Sequence, residues 1–171
     1  PSWTEALRQF IAQADEMGEL VMVSGVVGSN NRRKLDPEEF RGFALVDEHA
    51  SIVFVNGADS KAGQVFALAQ GLALVWLGLS GLFGRGAEKL PLDPAEALSS
   101  AVAGVLLSGL PVVEGAGRTR ERPISTCGRR FVRAVRASVL AGRTSYSQAH
   151  RLLAVRKASV LDRHFRGVED G

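Results

Sequence analysis

The residue types that most often perform catalysis or bind metals are sparse in this chain. It contains three histidines and one cysteine, namely His49, His150, His164 and Cys127. A zinc site needs several imidazole, thiolate or carboxylate ligands together. The histidines lie far in sequence from the apolar helix predicted over residues 61–77, and we expect each to be a surface or loop residue. Cys127 lies near Arg129 and Arg130, which is compatible with a thiol of lowered pKa, but an unreactive cysteine at a helix start is the simpler expectation.

The sequence also contains no recognisable motif for a serine nucleophile or for a phosphate-binding loop. Four serines that could serve as nucleophiles have no identifiable histidine and carboxylate partners, which does not support a serine hydrolase: Ser24, Ser80, Ser125 and Ser145. The run GVVGSNNRR contains glycines but not the spacing of a phosphate-binding loop.

Arginines in the last third suggest a binding surface. Arg129, Arg133 and Arg136 recur at helical spacing and form a basic stripe on a helix predicted over residues 127–142. Residues 145–166 resemble a helix-turn-helix pattern, whose cations would contact phosphates or base edges: Arg156, Lys157, Arg163 and Arg166. The partner would be DNA or an acidic protein surface, and the alternative for both groups is a solvated helix face.

The elements that must position these residues predict an α+β fold. Helical periodicity is found near residues 3–17, 61–77, 95–107 and 127–142, followed by a helical pair over 145–165. Residues 20–28 are typical of a strand interrupted by Gly25, and residues 42–47 and 51–57 of a β-hairpin. We expect a small sheet of about three strands packed by helices, with a polar loop at 29–40 and linkers at 81–94 and 108–125.

Charge and composition divide the chain into two segments. Residues 1–117 hold 8 Lys and Arg against 14 Asp and Glu, whereas residues 118–171 hold 13 against 4. We therefore predict a body over residues 1–125 and a basic helical segment over 126–171 that packs on it as one domain. The single cysteine excludes an internal disulfide framework, and the polar start PSWTEALRQF is unlike a signal peptide, so we expect a cytoplasmic protein.

One segment must be considered as a membrane span. Residues 65–83 are 19 residues long and carry no charge. Three glycines, Gln70 and the absence of a basic cluster at either end favour a buried central helix instead, and no membrane association is expected.

Residues 39–81 resemble the ImmA/IrrE-type metallopeptidase family, in which a hairpin and an Asn-Gly turn lead into a helix carrying a His-Glu-x-x-His motif. The run FVRAVRASVLAGRTSYSQAHRLLAV also resembles the helical tail of that family. The two blocks, 43 and 25 residues of 171, cover about 40% of the chain. The resemblance implies a zincin-like fold and relatives that act on transcriptional repressors.

The resemblance also places the catalytic positions, and all of them are substituted. Gln70 and Leu74 stand at the two histidine positions, Gly71 at the glutamate position, and Val105 at the position of the third ligand. Zinc requires two imidazoles on one helix face, a third ligand and a carboxylate to polarise water. We therefore expect no metal, no cofactor and no zinc peptidase activity.

The substituted cleft leaves two expectations open. Neighbouring side chains fill it, or it remains an apolar pocket with Gln70 as its polar group. In addition, Asn56 is expected to end an edge strand beside the cleft, which would bind a peptide through backbone hydrogen bonds without cutting it.

Four functions follow from these patterns. The first is a non-catalytic, regulatory or binding domain that recognises a protein partner such as a transcriptional regulator. The second is a repurposed metal-independent enzyme or a binder of a small apolar ligand. An active peptidase with substitute ligands and a structural subunit of an oligomer are the remaining alternatives; the sequence does not define the oligomeric state.

Overall fold

The computed structural model describes residues 2–27, 30–84, 94–108, 126–153, 155 and 158–166, with the side chains of all of these except 31, 96, 126, 127, 158, 163 and 164. These residues form six helices and seven strands. In chain order they are α1 (Trp3–Glu16), β1 (Leu20–Ser24), β2 (Val26–Val27), β3 (Asn30–Lys34), β4 (Gly42–Leu45), β5 (Ile52–Asn56), α2 (Lys61–Trp76), β6 (Gly81–Phe83), α3 (Pro94–Ser108), β7 (Thr126–Cys127), α4 (Arg129–Leu140), α5 (Tyr146–Leu152) and α6 (Ala158–Arg166).

The main sheet is mixed, which confirms the predicted α+β class. Its strand order is β6-β4-β5-β1-β7, and β1 runs parallel to β5 while the other neighbours are antiparallel. The hairpin β4–β5 is confirmed as predicted. The expectation of about three strands is wrong, because five strands form this sheet and β2 and β3 form a second, two-stranded one.

One face of the sheet is covered by α1 and α2. Val21 and Val23 of β1 alternate with residues of the other face and pack with Leu7 and Ile11 of α1. Leu68 of α2 is fully buried in the same core, and burial of such a side chain contributes about 1.5–3 kcal/mol. Helix α2 is buried over most of its circumference, which explains why its sequence carries no polar stripe.

The C-terminal helices cover part of the opposite face. Phe131 and Val135 of α4 belong to a second core that reaches Leu20 and Met22 of β1 and Ile52 of β5. The same helix is tied to α1 by a hydrogen bond that lies outside both cores.

That bond supplies the N-terminal cap of α4. Gly128 occupies the cap position and has no side chain to accept a bond from the first turn. The carboxylate of Asp15 accepts the backbone N–H of Arg130 at 2.8 Å instead. A carboxylate at this end of a helix also interacts favourably with the helix dipole. The body and the basic segment are thus joined through a contact 115 residues apart in sequence.

Several element predictions need correction. The strand predicted over 20–28 is interrupted at Gly25 as expected, but its two parts, β1 and β2, lie in different sheets. The loop predicted over 29–40 contains β3. The predicted linker at 81–94 begins with β6, which pairs with β4. Cys127 lies in β7 opposite Met22 rather than at a helix start. The linker predicted over 108–125 lies, beyond Ser108, outside the described residues.

None of the helices that the structure describes is long and apolar enough to cross a membrane.

Candidate functional site

Gln70 lies in the interior, where α2 meets α3. Helix α2 starts at Ser60, whose hydroxyl accepts the backbone N–H of Gly63 at 3.0 Å, and it reaches Gln70 after almost three turns. The side chain is 2% exposed. Its Nε2 donates to Ser100 Oγ at 2.8 Å and to Ser99 Oγ at 3.4 Å. A neutral amide and two hydroxyls satisfy one another here, and none of them is a general base at neutral pH.

Gly71 is in close contact with the sheet. A Cβ atom at this position would overlap Val53 Cγ1 of β5 and would lie 3.1 Å from Phe83 Cζ of β6. A side chain as large as glutamate therefore has no room at this position. The absence of a Cβ lets α2 approach the sheet closely.

Leu74 is an ordinary member of the core. It lies one turn after Gln70, is 2% exposed and belongs to the core on the α1–α2 face of the sheet. Gln70, Gly71 and Leu74 thus occupy neighbouring positions in packed interior, and the structure brings these three sequence-predicted residues together.

Val105 does not join them. Its side chain is 74% exposed, and the α3 residues that contact Gln70 are Ser99 and Ser100. Five residues beyond Ser100, the helix has turned by about 140° and risen by about 7.5 Å, so Val105 lies on another side of α3. The expectation that Val105 lines a cleft with Gln70 is wrong for this reason.

Asn56 also has a different role from the one expected. It ends β5, which is an interior strand paired with β4 on one side and β1 on the other, so it offers no free edge to a peptide. The side chain is fully buried. Its Nδ2 donates to Phe40 O at 3.1 Å and its Oδ1 accepts the Ala58 N–H at 3.0 Å. These bonds hold the turn that leads into α2.

The stripe of arginines on α4 is only partly free to act as one surface. Arg129 and Arg133 are exposed, whereas Arg136 is half-buried and lines a cleft of about 440 Å³ between α4, α5 and α6. The other walls of that cleft are Val139, Leu140, Tyr146, Asp162, Phe165 and Arg166. Arg156 and Lys157 lie outside the described residues.

The structure describes the side chains of two histidines, His49 and His150, and does not bring them together into a site. His49 is exposed beside Asp47, whose carboxyl pKa is lowered chiefly by the backbone N–H of His49. His150 is half-buried and its Nδ1 lies 3.0 Å from Val155 O. The described part of the chain contains no cluster of three or more His, Cys, Asp or Glu with metal-binding geometry.

The second face of the sheet is incompletely covered. The rings of Phe43 and Phe54 stack with centroids 4.9 Å apart, and beside them Leu45 of β4 is 53% exposed and Leu82 of β6 is 48% exposed. Leu82 is next to Phe43 because the two residues pair across β4 and β6. Leu45 lies two residues along β4 and therefore points to the same side. We call Phe43, Leu45 and Leu82 the open sheet face.

Sequence reasoning missed Ser99, Ser100 and the open sheet face. The run SS interrupts the apolar α3 sequence, and this interruption was the available signal for a polar partner of Gln70. The open sheet face carried no signal, because alternation in β4 does not reveal which strands the C-terminal helices cover.

Comparison with known proteins gives one match. A model of a domain of unknown function, DUF8813, matches residues 127–165, which run from β7 into α6. No curated protein and no solved structure matches the chain.

Proposed function

We propose that this chain is a non-catalytic binding domain, related to the ImmA/IrrE-type metallopeptidases, that recognises a protein partner such as a transcriptional regulator. The observation that carries the proposal is the hydrogen bond from Gln70 Nε2 to Ser100 Oγ in the interior. At the position where the resemblance implies a zinc ligand, the side chain is instead used to join two helices. A cytoplasmic setting, expected from the single cysteine, belongs to the same proposal.

The packing around Gln70 supports a role without catalysis. Gly71, at the position of the catalytic glutamate, abuts Val53, and Leu74 is buried. Water and substrate would have to displace these contacts to reach Gln70. The same packing weighs against the alternative of a small apolar ligand in the former cleft, since such sites enclose roughly 300–1,000 Å³.

The open sheet face supports a protein as the partner. Two large aliphatic side chains are about half exposed beside an aromatic pair, and exposed apolar groups of this kind are typical of protein interfaces. Burial of Leu45 and Leu82 by a partner would remove this surface from water. Both side chains are about half exposed and neither bonds to Gln70, so their substitution is expected to leave the bond between Gln70 and Ser100 in place.

The test is affinity capture from a cell extract with three forms of the protein. The wild type is expected to retain a specific protein, and the double variant Leu45→Asp, Leu82→Asp to lose it at least tenfold, because an aspartate cannot be buried in an apolar contact without a large desolvation cost. Leu140→Asp is the matched control, since Leu140 is 73% exposed at the end of α4 and lines the cleft between α4, α5 and α6.

Two results would contradict the proposal. One is equal retention of the same protein by the double variant and the wild type. The other is stoichiometric zinc in the purified protein together with hydrolysis of a peptide library that a chelator abolishes.

A further inference from the structure

Strands β2 and β3 form a small antiparallel sheet separate from the five-stranded one. They follow β1 directly, and the backbone bond from Leu35 N to Gly25 O, 3.0 Å long, closes the base of the pair. Ser24 Oγ donates to Val26 O at 3.0 Å at the same base. We call residues 26–27 and 30–34 the basic arm. It lies in the predicted body, away in sequence from the basic C-terminal segment.

The arm is named for three consecutive cations, Arg32, Arg33 and Lys34, all of which are exposed. No Asp or Glu occurs between Glu19 and Asp36, so nothing in the arm itself offsets this charge. None of the three cations forms an ion pair with the residues that the structure describes. A solvated cation is available to a polyanion at little cost, since no internal pair must be broken.

The pairing register of β2 and β3 decides where these three cations lie on the arm. Val26 pairs with Lys34 and Val27 with Asn30, so the register shifts and residues 31–33 bulge from β3. Consecutive residues of an extended strand point to opposite sides, and a bulge further re-aims its side chains. Because Arg32 and Arg33 are consecutive, we expect their positive charges on opposite sides of this narrow two-stranded element.

We propose that the basic arm binds duplex DNA, inserting into the major groove and contacting phosphates on both of its walls. A flat acidic protein surface would engage one side of the arm only, whereas a groove places anions on both sides. The major groove of B-form DNA, about 12 Å wide, admits a two-stranded ribbon, and the narrow major groove of A-form RNA does not. Phosphate contacts give affinity without sequence preference.

The turn that follows the arm limits the contact. Asp36, Glu38 and Glu39 are exposed directly after β3, and Asp36 Oδ1 accepts the Glu38 N–H at 2.9 Å. Their carboxylates repel phosphate, so the contact is confined to the arm. The inference goes beyond the proposed protein partner and depends on neither Gln70 nor the open sheet face.

The experiment is fluorescence anisotropy of the full chain with a labelled DNA duplex of about 20 base pairs at several salt concentrations. Three phosphate contacts imply a slope of about −2.7 for log K against log salt from the arm alone, or about a 40-fold loss of affinity between about 50 and 200 mM salt. The variant Arg32→Gln, Arg33→Gln, Lys34→Gln is expected to lose this part of the slope. Circular dichroism checks that it folds.

The matched control removes three exposed arginines that belong neither to the arm nor to the stripe on α4, in the variant Arg8→Gln, Arg143→Gln, Arg151→Gln, and it is expected to bind like the wild type. An RNA duplex of the same length is expected to bind at least tenfold more weakly, and poly-glutamate to compete poorly. The proposal is overturned by absence of DNA binding at about 50 mM salt, by an arm variant that binds like the wild type, or by equal binding of the RNA duplex or poly-glutamate.

Discussion

The side chain of Gln70 on α2 is joined to that of Ser100 on α3 by a hydrogen bond of 2.8 Å, and Ser99 lies 3.4 Å from the same nitrogen. Because this bond joins a buried side chain of α2 to α3, it also helps to fix the register of α3 against α2. A polar pair inside a core is costly if one member is removed and cheap if both are satisfied.

A double-mutant cycle measures the bond between Gln70 and Ser100. Gln70→Leu and Ser100→Ala are each expected to lower the free energy of unfolding by about 1–3 kcal/mol, because each leaves a polar group without its partner. The double variant is expected to lose about 0.5–1.5 kcal/mol less free energy of unfolding than the two single variants lose together. Urea unfolding provides the values. Gln70→Leu combined with Gly104→Ala serves as the additive control, and additivity in the first pair would refute the coupling.

Gly71 and Gly104 are both helical glycines, yet alanine is expected to act on them in opposite directions. At Gly71 a Cβ atom overlaps Val53 Cγ1, so Gly71→Ala is expected to destabilise the protein by about 1–3 kcal/mol through overpacking. At Gly104, apart from the adjacent residues and the backbone of its own helix, no atom lies within 4 Å of the added Cβ. Gly104→Ala is therefore expected to stabilise the protein by about 0.5–1 kcal/mol. Thermal unfolding of both variants measures the two effects. If the melting temperatures of Gly71→Ala and Gly104→Ala shift in the same direction from that of the wild type, α2 does not approach the sheet closely at Gly71.

Asp15 is expected to stabilise α4 although it belongs to α1. Asp15→Ala removes the acceptor of the Arg130 N–H and is expected to cost about 0.5–2 kcal/mol, as loss of a helix cap does. Asp15→Asn retains an acceptor oxygen and should recover most of this stability. Glu16→Ala, at the exposed neighbour, controls for the loss of charge, and an effect as large as that of Asp15→Ala would argue against capping.

Glu19 introduces a pH dependence at the end of α1. Partial burial raises the pKa of its carboxyl, and the nearby guanidinium of Arg130 offsets only part of this effect. The charged form is therefore disfavoured in the folded state, and this penalty is present above the raised pKa and absent below the unfolded pKa. Glu19→Gln is expected to raise the melting temperature slightly at about pH 7 and less at about pH 4. Glu16→Gln is the control for the loss of one exposed carboxylate. A gain in melting temperature that is larger at about pH 4 than at about pH 7 for Glu19→Gln would contradict the raised pKa.

Much of the fold followed from local patterns. Helix α2 was predicted over residues 61–77 and is found over Lys61–Trp76. Its capping residue, expected at Asp59 or Ser60 and found at Ser60, and its apolar run without a charge after Lys61 are signals contained within one segment. The hairpin β4–β5 and the amphipathic α4 were predicted for the same reason. In each case the residues that define the element also form its hydrogen bonds or its buried face.

The strands that were missed depend on distant partners. β6 has three residues and exists because β4 pairs with it from nearly forty residues earlier, and β7 has two residues and pairs with β1 across about a hundred. β3 was predicted as a loop because Arg32, Arg33 and Lys34 are polar, but its partner β2 satisfies the ladder at the surface. Such pairings are invisible to a local pattern, since the hydrogen bonds join segments that only the tertiary fold brings together.

For the candidate site, the sequence by itself determined that the positions at which the resemblance implies zinc ligands carry an amide, a leucine and a valine, and that a glycine stands at the position of the catalytic glutamate. These residue types can be compared with the needs of zinc without any coordinates. Only the tertiary structure decided where they lie: Gln70 bonds to Ser100 and Val105 points elsewhere. The physical reason is that which side of α3 faces α2 depends on the packing register of two helices, and a rotation of one helix by about 100° for each residue exchanges one neighbour for another.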